Sequence, residues 1–230
     1  LYAEVSPRSF SVRVRAGSRL DQMRFRRRDP ARADLVLSDA ALAAEHARAP
    51  LVDGDLTLRD GVILRVALDG FAGGVIGYRA QKHADAIDVD LVDHYAAEDY
   101  WEKLTVRARR KLILDPDEFY ILASRERLGI PAHLSAEMMA IDPAMGEFRV
   151  HYAGFFDPGF GCCAPDGRPA SRAVLEVRSH DVPFILEDGQ VIGRLVYEPM
   201  AAEPKILYGE AGTSNYQGQE LKLSKHFKAP

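Results

Sequence analysis

One carboxylate in this sequence stands where chemistry could use it. Glu176 interrupts an otherwise apolar run from Ala173 to Val177, in a segment whose alternating residues predict a β-strand. A carboxylate in such a place either faces solvent or lies buried, where the loss of water raises its pKa and suits it to proton transfer. Because surface carboxylates far outnumber catalytic ones, the pattern alone favours the solvent-facing interpretation.

The segments around Glu176 are predicted to be strands. They run from Arg149 to Phe155, Ala173 to Arg178, Pro183 to Leu186 and Val191 to Tyr197, with turns at Asp157-Pro158-Gly159 and Asp188-Gly189. Short strands with similar Asp-Gly and Gly punctuation are predicted between Leu51 and Val92 and between Lys111 and Leu122. The chain is therefore predicted to be mainly β.

A few segments carry helical signals instead. Residues from Ser38 to Ala49 are rich in alanine, with Ser38 as the N-cap and Pro50 as the stop, which predicts a linker helix. Shorter helices are predicted from Ser124 to Gly129, from Pro131 to Met139, and as one turn near the only tryptophan, Trp101. Trp101 itself is expected to belong to the core.

Composition excludes several classes of protein. The chain has 230 residues, 47% hydrophobic and 28% charged, which suits one large globular domain or two small ones. It contains neither a long apolar run nor a signal-peptide pattern, so we expect no membrane span and no secretion. The net charge of −4 argues against a nucleic-acid partner. Adjacent Cys162 and Cys163 suit neither a disulfide nor a zinc site, and a reducing, cytoplasmic location fits best.

The first residues repeat features of the region around Glu176. Glycines follow Glu4 and Glu176 at the same spacing, at Gly17 and Gly189. We interpret this as an internal repeat, although composition alone could produce the coincidence. The predicted units are 1–30, the end of a first β-repeat with strands at Leu1 to Val5, Phe10 to Val14 and Leu20 to Phe25; 31–50, a linker helix; and 51–230, a β domain with a C-terminal arm. A fold that begins within a sheet is expected to aggregate or to recruit another chain.

The last twenty residues allow two interpretations. The segment from Ala211 to Pro230 is polar, with glycines and two aromatic residues, Tyr216 and Phe227, among lysines. It is either a mobile terminus or an arm that closes over a nucleotide. In both cases we expect it to lack an apolar face and to be mobile without ligand.

Five segments, taken in order, resemble the dCTP deaminase family of the dUTPase-like superfamily. They are Ser124 to Gly129, His151 to Phe160, Val174 to Val177, Gly189-Gln190 and Ser214 to Gln219. The resemblance covers the chain from about Leu51 onward and is greatest to the longer, tandem form of the family. It implies a distorted β-barrel or jelly roll, trimers with sites at subunit interfaces in the single-copy members, and deamination without zinc.

The resemblance assigns roles to individual residues. Glu176 corresponds to the catalytic glutamate that activates water and carries its proton, and Arg127 to the active-site arginine. Ala153 corresponds to the residue whose backbone holds the water and the pyrimidine edge. The predicted substrate-binding residues are Ser124 for the triphosphate, Asp157 at the sugar-facing turn, and Tyr208, Tyr216 and Gln219 for triphosphate and base. Ala123 replaces the first serine of the family motif, which leaves the positioning of the water open.

The resemblance predicts the conversion of dCTP to dUTP and ammonia by a homo-oligomer or tandem assembly, with Mg²⁺ accompanying the nucleotide and no metal bound by the protein. The zinc deaminases carry His-x-Glu and Pro-Cys-x-x-Cys motifs, and neither occurs in this sequence. Two alternatives stay open. One is a dUTP diphosphatase or a bifunctional enzyme, and the other is a non-catalytic nucleotide-binding or assembly module.

Overall fold

The computed structural model describes residues 2, 4–25, 35–140, 148–151, 155–162, 166–179, 181–210 and 214–228. Within these ranges there is one α-helix, α1 (Asp39–Arg48). The strands are β1 (Val12–Arg13), β2 (Val62–Arg65), β3 (Val75–Ala80), β4 (Ile87–Asp88), β5 (Trp101–Thr105), β6 (Lys111–Leu114), β7 (Tyr120–Leu128), β8 (Leu134–Ala140), β9 (Phe148–His151), β10 (Phe155–Phe156), β11 (Ser171–Ser179), β12 (Phe184–Glu187) and β13 (Val191–Pro199). Short 3-10 helices occupy Ala72–Gly74 and Ala97–Asp99.

Two antiparallel sheets form the body of the described structure. One has five strands in the order β5-β3-β7-β11-β9, and the other has four in the order β10-β8-β13-β2. Two-stranded sheets, β12-β6 and the parallel β1-β4, lie beside them. The neighbours in both large sheets are often distant in sequence, which is typical of jelly-roll folds. The prediction of a mainly β protein is confirmed.

The main core lies between the two large sheets. Along β11, buried and half-buried residues alternate, so that Ala173, Leu175 and Val177 point into the core. Leu64 on β2 and Leu195 on β13 reach the same core from the four-stranded sheet. Glu176, between two core residues, must therefore lie on the opposite, outer face of the five-stranded sheet.

A second apolar cluster covers part of that outer face. Phe10 lies with its ring centroid 5.1 Å from that of Trp101, and Phe227 of the C-terminal tail lies 5.9 Å from Trp101 on the same cluster. Leu223 is buried beside them. The expectation that the tail lacks an apolar face is therefore wrong, because Leu223 and Phe227 supply one. The expectation that Trp101 belongs to a core is confirmed.

Two predicted helices are strands instead. Ser124 to Leu128 belongs to β7, and the segment predicted to be helical from Pro131 to Met139 largely forms β8. Ser124 to Leu128 pairs with β11 and forms isolated bridges to Val66 and Val52, so that cross-strand hydrogen bonding and packing override local helical signals. The helix predicted from Ser38 to Ala49 is confirmed as α1, and Ser38 caps it by accepting a hydrogen bond from the backbone N–H of Ala41 at 3.3 Å.

The strands predicted after the Asp157 turn are confirmed as β11, β12 and β13. The run predicted from Arg149 to Phe155 is not one strand, because β9 pairs with β11 in one large sheet whereas β10 pairs with β8 in the other. The turn at Asp188-Gly189 is also confirmed.

The N-terminal segment is less regular than predicted. Its only strand in the described range 4–25 is β1, and neither Glu4–Pro7 nor the predicted strand from Leu20 to Phe25 is regular. The described structure gives these residues no strand ladder, and an extended segment without such a neighbour is not a stable strand. Leu1 and Ala3 lie outside the described residues. No helix in the described part of the chain is long and apolar enough to cross a membrane.

Candidate active site

Glu176 lies in a cross-strand row on the outer face of the five-stranded sheet. Its backbone partners are Ile121 on β7 and His151 on β9, and Ile121 is in turn the partner of Tyr78 on β3. The side chain is only partly exposed, and burial raises the pKa of its carboxyl group. The row thus holds a carboxyl group that keeps a proton more readily than an exposed glutamate does.

The turn that contains Asp157 is packed tightly. Gly161 has a φ of 70°, and a Cβ atom there would lie 1.8 Å from the carbonyl oxygen of Leu128. Gly159 has a φ of 92°, and its Cβ would lie 2.8 Å from that of Leu207. Both positions require glycine on grounds of backbone conformation and space. This constraint holds Asp157 at a fixed place near the segment that carries Tyr208.

Asp157 and Tyr208 both have shifted pKa values. Burial raises the pKa of the Asp157 carboxyl group, and the positive charge of Arg24 opposes that shift. Burial also raises the pKa of the Tyr208 phenol, whose ring centroid lies 5.5 Å from that of Phe160. The backbone N–H of Tyr208 donates to the carbonyl of Pro158 at 2.9 Å. The structure therefore brings together Asp157 and Tyr208, and their roles in substrate binding stay predictions.

Arg24 is a residue near this turn that the sequence did not reveal. Its Nη1 donates to Ser135 Oγ at 2.8 Å, its Nη2 lies 3.3 Å from Glu137 Oε2, and its guanidinium carbon lies 3.9 Å from the ring centroid of Phe155. These contacts bring the N-terminal segment to the strand just before Asp157. In the sequence Arg24 is one of several arginines, and no local pattern distinguishes it.

Ser124 is buried and holds two strands together. Its hydroxyl group donates to the carbonyl of Glu126 at 2.7 Å and accepts from the backbone N–H of Ala173 at 2.9 Å. It lies beside the register shift between Arg172 and Val174, where the strand ladder is irregular. The hydroxyl thus stabilises the β7–β11 pairing, and its role as a triphosphate ligand stays a prediction.

Arg127 and Glu176 do not meet within this chain. Ile121 is the cross-strand partner of Glu176, and Arg127 follows it by six residues on β7. Because the ladder shifts register, Arg127 is the direct partner of Arg172, which is only four residues from Glu176 on β11; at about 3.3 Å per residue this separation is about 13 Å. The guanidinium group of Arg127 instead pairs with Glu220 and lies 3.7 Å from Asp53 Oδ2. The contacts around Arg127 are therefore separate from the row that contains Glu176.

The motif near the C-terminus is attached to the sheet and to the Asp157 turn. The side-chain amide of Gln219 donates to the carbonyl of Arg172 at 2.9 Å, and the carbonyl of Gln219 accepts from the N–H of Arg172 at 2.8 Å. The amide of Gln217 joins the backbones of Gly161 and Gly159, each at 2.9 Å. The hydroxyl of Tyr216 accepts from the backbone N–H of Lys225 at 3.2 Å. Gln217 was not predicted as a site residue, although it stands inside the motif.

Some predicted features lie elsewhere. Ala153 is outside the described residues, so its backbone is not placed. A cavity of about 360 Å³ lies at the second apolar cluster and contains none of the predicted site residues; its lining includes Asp85, His94, Tyr95, Asp99 and Lys228. Within the described ranges, no group of three or more His, Cys, Asp or Glu residues could hold a metal ion.

The fold and the placement of these motifs define a class of protein. The structure resembles the crystal structure of 2'-deoxycytidine 5'-triphosphate deaminase from Agrobacterium tumefaciens, with a TM-score of 0.69 and 50% sequence identity over 74% of this chain and 51% of that chain. The chain therefore has the dUTPase-like β fold, as predicted. Residues 38–227 match the sequence model of the C-terminal domain of 2'-deoxycytidine 5'-triphosphate deaminase, and residues 1–29 match that of its N-terminal domain. The chain belongs to the 2'-deoxycytidine 5'-triphosphate deaminase family.

Curated relatives carry a more specific name. The protein named dCTP deaminase, dUMP-forming, from Corynebacterium jeikeium is 35% identical over 112 residues, which cover 46% of this chain and 54% of that protein. The protein of the same name from Methanobrevibacter smithii is 28% identical over 138 residues, 58% of this chain and 66% of that protein. The matches span between half and two thirds of these relatives.

Proposed function

We propose that the protein deaminates dCTP hydrolytically, with Glu176 as the group that moves protons. The observation that carries the proposal is the position of Glu176, a partly buried carboxyl group with a raised pKa at the place of the family's catalytic glutamate. Membership in the family supports the substrate, and the A. tumefaciens structure, at 50% identity, carries the name of the same activity.

The chemistry requires one group that both accepts and donates a proton. The Glu176 carboxylate takes a proton from a water molecule while the oxygen of that water forms a bond to C4 of cytosine. Glu176 then passes this proton to N3. The remaining proton on that oxygen passes through Glu176 to the amino group, the C4–N bond breaks, and ammonia leaves as the C4 carbonyl forms. A glutamate with a raised pKa suits both directions of transfer near neutral pH.

The proposal includes no metal bound by protein side chains. The support is the absence from the sequence of the motifs that hold zinc in the zinc deaminases. Mg²⁺ enters as part of the nucleotide substrate, where it neutralises the phosphates. Tyr208, Tyr216, Gln219 and Asp157 are proposed to contact the nucleotide, and the backbone of Ala153 to hold the water.

We also propose that each site combines residues from two copies of the fold. The support is that the guanidinium group of Arg127 pairs with Glu220 and lies near Asp53 in this chain, whereas Glu176 lies about 13 Å along β11 from the cross-strand partner of Arg127. The Arg127 that completes the site of one Glu176 then comes from another copy, in a homo-oligomer or in a tandem assembly.

A second candidate function differs from the first in the product of the reaction. The curated relatives from C. jeikeium and M. smithii are named as dUMP-forming, whereas the A. tumefaciens structure is named only as a deaminase. We propose dUTP as the product because the sequence identity of this chain to the A. tumefaciens protein is higher than its identity to the two curated relatives. A bifunctional enzyme that also releases pyrophosphate is the second candidate.

One assay separates these functions. Purified full-length protein is incubated with dCTP or with dUTP, and ammonia and pyrophosphate are measured side by side. Ammonia from dCTP without pyrophosphate supports the proposal, and both products together support the bifunctional enzyme. Pyrophosphate from dUTP alone would indicate a diphosphatase, and nucleotide binding without either product would indicate a non-catalytic module.

A further inference from the structure

Two arginines face each other across neighbouring strands at one end of the five-stranded sheet. Arg127 on β7 and Arg172 on β11 are direct cross-strand partners. Like charges in such positions repel each other, so the pair needs an anion nearby. In this structure the anion is the carboxylate of Glu220 in the C-terminal tail. Its Oε1 pairs with the guanidinium group of Arg127, and its Oε2 lies 2.6 Å from Arg172 Nε.

Arg172 is held in place by groups other than Glu220. Its Nη1 donates to the carbonyl of Ser124 at 2.9 Å and also to the carbonyl of Arg125. Its guanidinium carbon lies 5.2 Å from the ring centroid of Phe71, and its side chain is only 17% exposed. The guanidinium group is therefore oriented before any ligand arrives, and its Nε faces the carboxylate of Glu220.

Glu220 is held less firmly than Arg172. It lies outside the helices and strands, and its side chain is 39% exposed. Asp53 is the other carboxylate near Arg127, at 3.7 Å from Nε. A carboxylate that bridges two arginines with one oxygen for each occupies the position that a phosphate group would take. A phosphate carries more negative charge and more acceptor oxygens, and it suits paired guanidinium groups better.

We propose that Arg127 and Arg172 form a binding site for a phosphate group of the nucleotide, and that Glu220 fills this site until the nucleotide binds. The nucleotide as ligand rests on the proposed function, whereas the anion site rests on the contacts described above. Arg172 is thereby a substrate-binding residue that the sequence motifs do not include, and Glu220 is an internal competitor.

The test compares two glutamates that pair with arginines on the same sheet. Glu220→Gln keeps the size of the side chain and removes its charge, and Glu102→Gln does the same at the exposed Arg79–Glu102 pair on β3 and β5. Binding of inorganic tripolyphosphate to the full-length protein is measured by calorimetry. We expect Glu220→Gln to bind it about 10-fold more tightly than the wild type, a usual size for coupling between two ligands of one site. Glu102→Gln should bind it as the wild type does.

Arg172→Lys supplies the opposite change. Lysine keeps the charge but lacks the planar fork, so tripolyphosphate should bind about 10-fold more weakly. If Glu220→Gln binds tripolyphosphate no more tightly than the wild type and melts at a lower temperature, the three residues form a structural ion network and the proposal is wrong. An equal gain in Glu102→Gln would also overturn it.

Failure of the proposed function would give a different result. Tripolyphosphate has no base, so its binding does not depend on deamination. If the wild type releases no ammonia from dCTP while Glu220→Gln gains affinity for tripolyphosphate, the anion site is supported and the proposed function is not. If the wild type releases ammonia from dCTP while Glu220→Gln binds tripolyphosphate no more tightly than the wild type, the proposed function is supported and the anion site is not.

Discussion

At the scale of single residues, Glu176 illustrates why a chemical role cannot be read from polarity alone. The sequence pattern favoured a solvent-facing glutamate, and the side chain does lie on the outer face of its sheet. That face is partly covered, so the carboxyl group is partly buried and its pKa is raised. The solvent-facing and the buried interpretations of Glu176 therefore do not exclude each other.

Replacing Glu176 by glutamine tests its proposed role directly. Glutamine keeps the volume and can still form hydrogen bonds, so binding of dCTP should change little. Turnover should fall by a factor of about 10² to 10⁴, the usual contribution of a positioned acid or base. The measurement is kcat for ammonia release together with Kd for dCTP. A well-folded variant with kcat like that of the wild type would contradict the role.

The same variant should also change how stability depends on pH. The folded state raises the pKa of Glu176, so it holds a proton at pH values where the unfolded chain has lost it. The free energy of unfolding should therefore fall as pH rises from the ordinary glutamate value, about 4.3, through the raised one. Because glutamine does not ionise, the Glu176→Gln variant should not lose stability as the pH rises. It should therefore be more stable than the wild type at neutral pH. Urea unfolding of both proteins at acidic and neutral pH would check this, and a less stable variant at neutral pH would contradict it.

At the scale of elements, the C-terminal tail differs most from the structure that its sequence predicts. It was expected to be a polar arm, yet Leu223 and Phe227 pack into the second apolar cluster, and Gln217 and Gln219 bond to the backbone of the Asp157 turn and of β11. The tail thus has anchors at both of its ends. Between them lies Glu220, whose contacts with two arginines can be exchanged for those of a ligand.

Phe227→Ala tests how firmly the tail is attached. The ring is 5% exposed, and replacing a buried phenylalanine by alanine costs about 3 kcal/mol or more. We expect hydrogen exchange at residues 221–228 to accelerate by about 100-fold while the sheets keep their protection. Phe25→Ala is the control, because Phe25 is 90% exposed. Equal exchange in the wild type and Phe227→Ala would show that other contacts hold the tail.

At the scale of the whole molecule, the question is how Arg127 and Glu176 come to act on one substrate. Arg127 is the partner of Arg172, which lies about 13 Å from Glu176 along β11, and its guanidinium group pairs with Glu220 rather than with Glu176. We propose a composite site, in which one copy of the fold supplies Glu176 and another supplies Arg127.

Mixing two inactive variants tests the composite site. Glu176→Gln and Arg127→Ala are each expected to be inactive alone. If a site takes its glutamate from one copy and its arginine from another, random mixing in a symmetric oligomer should restore about a quarter of the wild-type activity. Ammonia release is measured after the two proteins are unfolded and refolded together, with each refolded alone as the control. No recovery in mixed oligomers would mean that both residues act within one chain.

The sequence by itself determined the features that depend on neighbouring residues. The alternation along β11 and β13 places every second side chain in the core, and Ser38 and Pro50 mark the ends of α1 through local hydrogen bonding and the missing N–H of proline. The order of the motifs likewise identified the family. These are properties of short segments, and no distant contact is needed to specify them.

The tertiary structure decided what depends on partners far away in the chain. Ser124 to Leu128 has local helical signals but is a strand, because β11 pairs with it at Arg127 and Leu128, and the distant residues Val66 and Val52 form bridges to Ser124 and Leu128. The charge of Glu220 reaches Arg127 and Arg172 only after the tail packs on β11, and Arg24 reaches the Asp157 turn only from the N-terminal segment. Such contacts join residues separated by tens of positions, and the periodicity of a short segment carries no information about them.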